Sequence, residues 1–231
     1  MRVLVIAGHG EGDPGAVSRL QGREYQEARE TRNLAAVLLP LLRQRGVDAA
    51  AYPAEKNAFA RRKDGLPELN GADFVLELHF NAAVLDAGNG RAKGTECWVP
   101  VGTENTTPAR AVCRAMAALG FPDRGVKEKN FAVIAAARDR GIPAVLLEVC
   151  FLDDADDMAL YDAERAARAI CDGLCQGLGI PADADTARKI VQERAGLSDA
   201  TMEYLAAYQW GADLLRKLAA AMSAPSADPP K

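Results

Sequence analysis

The chain has 231 residues, 49% hydrophobic and 26% charged, with 20 glycines and 12 prolines; this is ordinary usage for a folded protein and excludes a disordered, collagenous or low-complexity chain. Lys and Arg number 28 against 32 Asp and Glu, so the net charge is −4 and there is no basic footprint for a polyphosphate backbone; nucleic acid is not an expected partner. No apolar run approaches the roughly 20 residues needed to span a bilayer, and at about 150 residues per domain the length predicts one domain with an appendage.

Residues 2 to 7, RVLVIA, read as a first strand. The apolar run before His9 is too short for a secretory signal and has no cleavage site, so synthesis in the cytoplasm without a signal peptide is expected. Residues 24 to about 45 carry Leu34, Val37, Leu38, Leu41 and Leu42 at helical spacing, with Pro40 placed to kink the helix and Gly46 to cap it. Further strands are predicted at 47 to 52, 73 to 80, 95 to 100 and 143 to 151, and further helices at 105 to 119 and 161 to 178. This alternation predicts an α/β fold, a mixed and mostly parallel sheet flanked by helices. The five cysteines contain no C-x-x-C pair, and Cys171 and Cys175, four apart on one helix face, read as buried core residues rather than metal ligands.

A domain boundary is predicted near Gly179 to Pro181, giving a first domain over 1–181 and a helical appendage over 182–222. The appendage should hold helices at 186 to 195 and 199 to 222, the second capped by Asp199 and amphipathic through Met202, Leu205, Leu214, Leu215 and Leu218. Its Tyr204, Tyr208 and Trp210 suit an interface. Packing onto the first domain, homo-oligomer formation and targeting are the alternative roles for it. Residues 223–231, rich in Pro, Ser and Asp, read as a disordered tail.

The chain has only two histidines, and both fall at the carboxyl ends of predicted strands, His9 after RVLVIAG and His79 after DFVLEL. In open α/β sheets ligands bind beyond those ends, so the two rings can converge across 70 residues of sequence. Glu148 reaches the same edge after Ala-Val-Leu-Leu, where a carboxylate is costly unless paired or bound to metal. Two histidines with a carboxylate suggest Zn2+, which in catalytic sites takes three protein ligands and keeps a position for water. Glu24, Glu27 and Glu30 on the first helix are candidates for completing the set. On a helical wheel the apolar stripe centres on Glu27, with Glu30 about 45° and Glu24 about 75° away.

The segments AGHGEGDPGAV, Glu27 ahead of Leu34-Ala35, ELHFNA and PAVLLEVCFLDD resemble, in order and spacing over residues 1 to 178, the zinc-dependent N-acetylmuramoyl-L-alanine amidases of the amidase-3 type, above all phage or prophage endolysins. The resemblance implies zinc ligands at His9, Glu27 and His79, a catalytic carboxylate at Glu148, and peptidoglycan as substrate, reached after release from the cell. It departs from the common pattern at Gly10-Glu11-Gly12, where Gly-Gly usually follows the histidine, and at Cys150, where glycine is usual. Two other readings compete with it. One is a wall-binding module that has lost catalysis; the other is a nucleotide site at Gly10 to Gly15, which satisfies G-x-G-x-x-G but places Glu11 and Asp13 against a pyrophosphate. Asn81 has a turn role or a role in orienting a ligand.

Overall fold

The computed structural model describes residues 1–10, 12–180 and 184–223. In chain order the elements are β1 (Arg2–Ala7), β2 (Val17–Leu20), β3 (Arg23–Gln26), α1 (Glu27–Gln44), β4 (Asp48–Ala51), β5 (Phe74–Asn81), β6 (Thr95–Val99), α2 (Thr107–Ala117), β7 (Asp123–Glu128), α3 (Ala132–Arg138), β8 (Ala144–Phe151), α4 (Ala155–Leu160), α5 (Ala163–Gly177), α6 (Ala184–Ala195), α7 (Asp199–Ala207) and α8 (Gly211–Ser223). Six strands form one sheet in the order β4-β1-β5-β8-β6-β7. The first four run parallel, and β6, antiparallel to β8, brings β7 in parallel to itself.

The central strands β5 and β8 are covered on both faces, which is why both read as nearly continuous apolar runs. Leu4, Ile6, Val75, Ala144 and Leu146 share one core with Val133, Ile134 and Ala137 of α3. Alternation turns Val3, Val5, Leu76 and Leu78 to the other face, where α1 packs on β1, β4 and β5. Next to it α2 packs on β6, β7 and β8. α5 approaches α2 through Gly173, where a Cβ would stand 2.7 Å from the Ala111 carbonyl oxygen.

α1 runs through Pro40 as one 18-residue helix and ends as expected at Gly46, whose φ of 77° lets its N–H return to Arg43 O. Its start differs from the sequence expectation. Residues 23 to 26 are strand, because Gln21 (φ 49°) and Gly22 (φ 81°) turn β2 back onto β3 in a two-residue hairpin. β7, α3 and α4 also escape the apolar pattern; β7 is a half-exposed edge strand, and the two helices are too short to show a stripe. All five cysteines are free and buried.

By internal contacts the chain divides between Leu174 and Cys175, inside α5 rather than at Gly179 to Pro181. Gly179, at φ 67°, does end the α5 region, with Ile180 N–H returning to Cys175 O. In the second unit α6, α7 and α8 enclose their own small core of Ala187, Val191, Met202, Leu215 and Ala219. The single helix expected over 199 to 222 is two helices. Tyr208 leaves helical geometry at ψ 141°, and the chain then turns so tightly that a Cβ at Gly211 would meet the Leu205 carbonyl oxygen. The α7 cap is Ser198, whose hydroxyl accepts from Thr201 N–H, not Asp199. The tail expected at 223–231 lies outside the described residues apart from Ser223, which ends α8. Among the described residues no helix is long and apolar enough to cross a membrane.

Candidate metal centre and active site

β1 and β5 lie side by side, so His9, two residues past the end of β1, and His79, near the carboxyl end of β5, come together with ring centroids 4.9 Å apart. Glu27, the first residue of α1, closes the group from the helix side. Its Oε2 lies 3.1 Å from His9 Nε2 and its Oε1 2.9 Å from His79 Nδ1, and ligand atoms from all three residues fall within 4.8 Å of one another. Two backbone N–H groups orient this carboxylate, Ala16 donating to Oε2 and Phe80 to Oε1. Glycine makes the approach possible. A Cβ at Gly8 would sit 2.4 Å from the His79 ring, and one at Gly15 2.6 Å from Glu27 Oε2.

His9 itself adopts φ 63°, a conformation that costs a side-chain-bearing residue about 1–3 kcal/mol and persists where surrounding contacts hold it. Here α1 supplies them. Thr31 Oγ1 and Arg32 Nη1 donate to the Gly8 carbonyl, and Arg32 Nη2 donates to the His9 carbonyl at 2.8 Å. Asp13 Oδ2 stands 2.9 Å from His9 Nδ1 and accepts from Asn57 Nδ2, while its Oδ1 accepts from Gly15 N–H. Asp13 and Gly15 thus frame His9, and the chain leads from them into a hairpin, so no helix N-terminus follows to receive a pyrophosphate.

Electrostatics favour a cation between these side chains. Burial works against the charged form of Glu27, yet hydrogen bonds with His79 and His9 outweigh it and hold the carboxyl far below the usual carboxylate range. Burial also works against protonated His79, but Glu27 and Glu77 raise it well above an ordinary histidine. The same balance, with Glu27 and Asp13 as partners, raises His9. Two imidazole nitrogens and an ionised carboxylate oxygen facing one centre are the donor set of a His₂Glu zinc site, so the residues fit a divalent zinc ion.

Glu148 is the register partner of His79 on β8 and of Glu96 on β6, so it stands beside the triad. Its Oε2 is buried without a hydrogen-bond partner. Burial, reinforced by the charges of Glu27, Glu96 and Glu77 and opposed by His79, pushes its carboxyl up to about 7. Glu96 stays ionised, since bonds from Lys127 and Arg124, both 2.6 Å, outweigh its own burial. These groups open into a cleft of about 390 Å³ whose apolar walls include Phe59, Phe80, Phe131 and Leu146.

The other two acids considered for the third ligand, Glu24 on β3 and Glu30 on α1, stay outside this group. Glu24 is exposed and pairs with Arg19. Glu30 is as buried as Glu27, at 4%, despite its offset on the wheel, and it pairs with Arg29. Asn81 ends β5 and takes the turn role, its Oδ1 accepting from Ala82 N–H, while its Nδ2 donates to Glu96. Sequence reasoning passed over Asp13, Arg32, Glu77 and Glu96. For Glu77 the signal was present, because a carboxylate inside FVLELHF is as anomalous as Glu148 inside AVLLEVCF.

Comparison with known proteins agrees with this geometry. The chain is 25% identical over 182 residues to a Bacillus licheniformis protein named N-acetylmuramoyl-L-alanine amidase CwlM, covering 77% of this chain and 67% of that one. It is 25% identical over 182 residues to the endolysin of Bacillus phage SPP1, covering 76% and 64% respectively, so it spans about two thirds of each of these relatives. The solved catalytic domain of CwlV, an N-acetylmuramoyl-L-alanine amidase from Bacillus (Paenibacillus) polymyxa, superposes with a TM-score of 0.62 at 28% identity, over 78% of this chain and 98% of that one. The family described as Amidase_3, N-acetylmuramoyl-L-alanine amidase, matches residues 3–179. Because that match takes in all six strands of the main sheet together with both histidines, Glu27 and Glu148, the chain belongs to the amidase-3 family of N-acetylmuramoyl-L-alanine amidases.

Proposed function

We propose that the protein is a zinc-dependent peptidoglycan hydrolase that cleaves the amide between the lactyl group of N-acetylmuramic acid and the L-alanine of the stem peptide. The observation that carries this reading is the closure of ligand atoms of His9, Glu27 and His79 within 4.8 Å beside Glu148, whose buried Oε2 has no hydrogen-bond partner. His9, Glu27 and His79 would hold the zinc. When bound, it would activate water and polarise the scissile carbonyl. Glu148, with its proton affinity raised toward neutrality, takes the proton from the attacking water and returns it to the departing L-alanine amine. The cleft beside these residues leaves room for the substrate. A wall-binding module without catalysis would have no use for a buried, proton-avid Glu148. The wall is the expected place of action, in keeping with the relatives named as amidases and endolysin.

Purified peptidoglycan or soluble muropeptides should release stem peptides with a new L-alanine amino terminus, identified by mass spectrometry, and chelation should abolish the release. The protein should bind about one zinc per chain, and His79→Ala should lose it. A different new terminus, chelator-resistant release or undiminished zinc in His79→Ala would each defeat the proposal.

A further inference from the structure

We propose that Glu77 is a positioning residue that fixes the ring of His79 so that Nδ1 faces the metal centre; the inference rests on the metal-site reading above. Glu77 and His79 are two apart on β5 and therefore share a face of the sheet. Glu77 Oε1 lies 3.3 Å from His79 Nε2, on the opposite side of the ring from the Nδ1 that meets Glu27 at 2.9 Å. A neutral imidazole has one N–H and one lone pair. If Nδ1 offers its lone pair to a cation, Nε2 carries the proton and needs an acceptor, and Glu77 supplies one.

Packing gives no reason for a carboxylate here. Glu77 is 4% exposed, its register neighbours are Ile6 and Leu146, and its Oε2 is buried with no hydrogen-bond partner. A similarly sized apolar side chain would avoid that desolvation cost. The arrangement also recurs at the other histidine. Asp13 holds His9 Nδ1 at 2.9 Å and leaves Nε2 to the triad, so the two rings present opposite nitrogens inward, each with its own carboxylate behind it. Carboxylates behind metal-bound histidines fix ring orientation and tautomer and raise ligand basicity, and losing one typically costs about 10–100-fold in metal affinity.

The test measures zinc affinity by chelator competition in the parent, Glu77→Ala, Glu77→Gln and the surface control Glu24→Gln, with thermal melting in chelator to report folding. Glu77→Ala should bind zinc about 10–100-fold more weakly while remaining folded, Glu77→Gln should retain part of the affinity because its amide oxygen still accepts, and Glu24→Gln should match the parent. In the zinc-loaded parent, ring-nitrogen NMR shifts should show His79 protonated at Nε2. That measurement, together with Glu77→Gln, decides the matter if Glu77→Ala does not fold. Zinc affinity of a folded Glu77→Ala within about twofold of the parent, or a proton on His79 Nδ1, would overturn the role of Glu77 and leave the metal site standing. A parent that binds no zinc would overturn both.

Discussion

Glu148 carries a residue-scale consequence that can be measured without substrate, because its carboxyl takes up a proton near pH 7 in the folded chain and near 4.5 when exposed. Between those values the folded state binds more protons than the unfolded state, so this group's contribution to stability falls as pH rises through the window. With zinc chelated, Glu148→Gln should therefore melt several degrees above the parent at about pH 8, and the two curves should converge as pH falls toward 4.5. Loaded with zinc, the same variant should keep its fold and most of its metal but lose about two to four orders of magnitude in turnover. Near-parental turnover would assign the proton transfer to another group, and equal melting at high pH would show that the carboxylate is not desolvated. Glu148 and Glu77 could both be noticed in sequence as charges inside apolar strands. Their difference in role could not, because it depends on which neighbour β5 and β8 place beside each of them.

Among the elements, the β2–β3 hairpin bears most directly on the site. It brings the chain back from the His9 loop so that α1 begins at Glu27 with the carboxylate already aimed inward, bound by Ala16 and Phe80 N–H. A carboxylate in the first turn also suits the positive end of the helix dipole. Both turn residues have positive φ, as a type I′ turn requires, yet Gln21 is a poor occupant of the first position. Gln21→Asn should stabilise the fold by roughly 0.5 kcal/mol, raising the melting temperature by about 1–2 °C in a chain of this size. A lower melting temperature would mean that the turn is not the one described. The hairpin went unseen in sequence because its four-residue strands show too little alternation to separate from the helical stripe that follows.

On the scale of the whole molecule, the candidate metal centre lies in the unit ending at Leu174, while the second unit closes a core of its own and contributes neither histidine. Tyr204, Tyr208 and Trp210 remain exposed around the α7–α8 turn, although aromatic surface of this size is usually buried in a core or an interface. We propose that residues 182–222 serve association or attachment to the wall. A chain truncated after residue 182 retains the whole of α5 and should bind zinc and cleave soluble muropeptides at the parental rate, while its oligomeric state or its action on intact walls should change. If the truncated chain is folded and zinc-loaded but inactive on soluble fragments, the second unit completes the active site and the division of labour fails.

The sequence by itself determined the features that depend on local pattern. Strands β1, β5 and β8 announce themselves because apolar runs buried on both faces leave little room for polar residues, and that makes His79 and Glu148 conspicuous within them. The stripe of α1 likewise singled out Glu27 among three acids, since a helix that packs on a sheet must turn one face to it. Strand order, and everything that follows from it, was decided only by the tertiary structure. The pairing of β1 with β5 and of β5 with β8 puts His9 beside His79 and His79 beside Glu148, and the antiparallel β6 adds Glu96 to the field that holds the Glu148 proton. These charges act through a few ångströms of low-dielectric space between residues distant in the chain, and no local pattern encodes such distances.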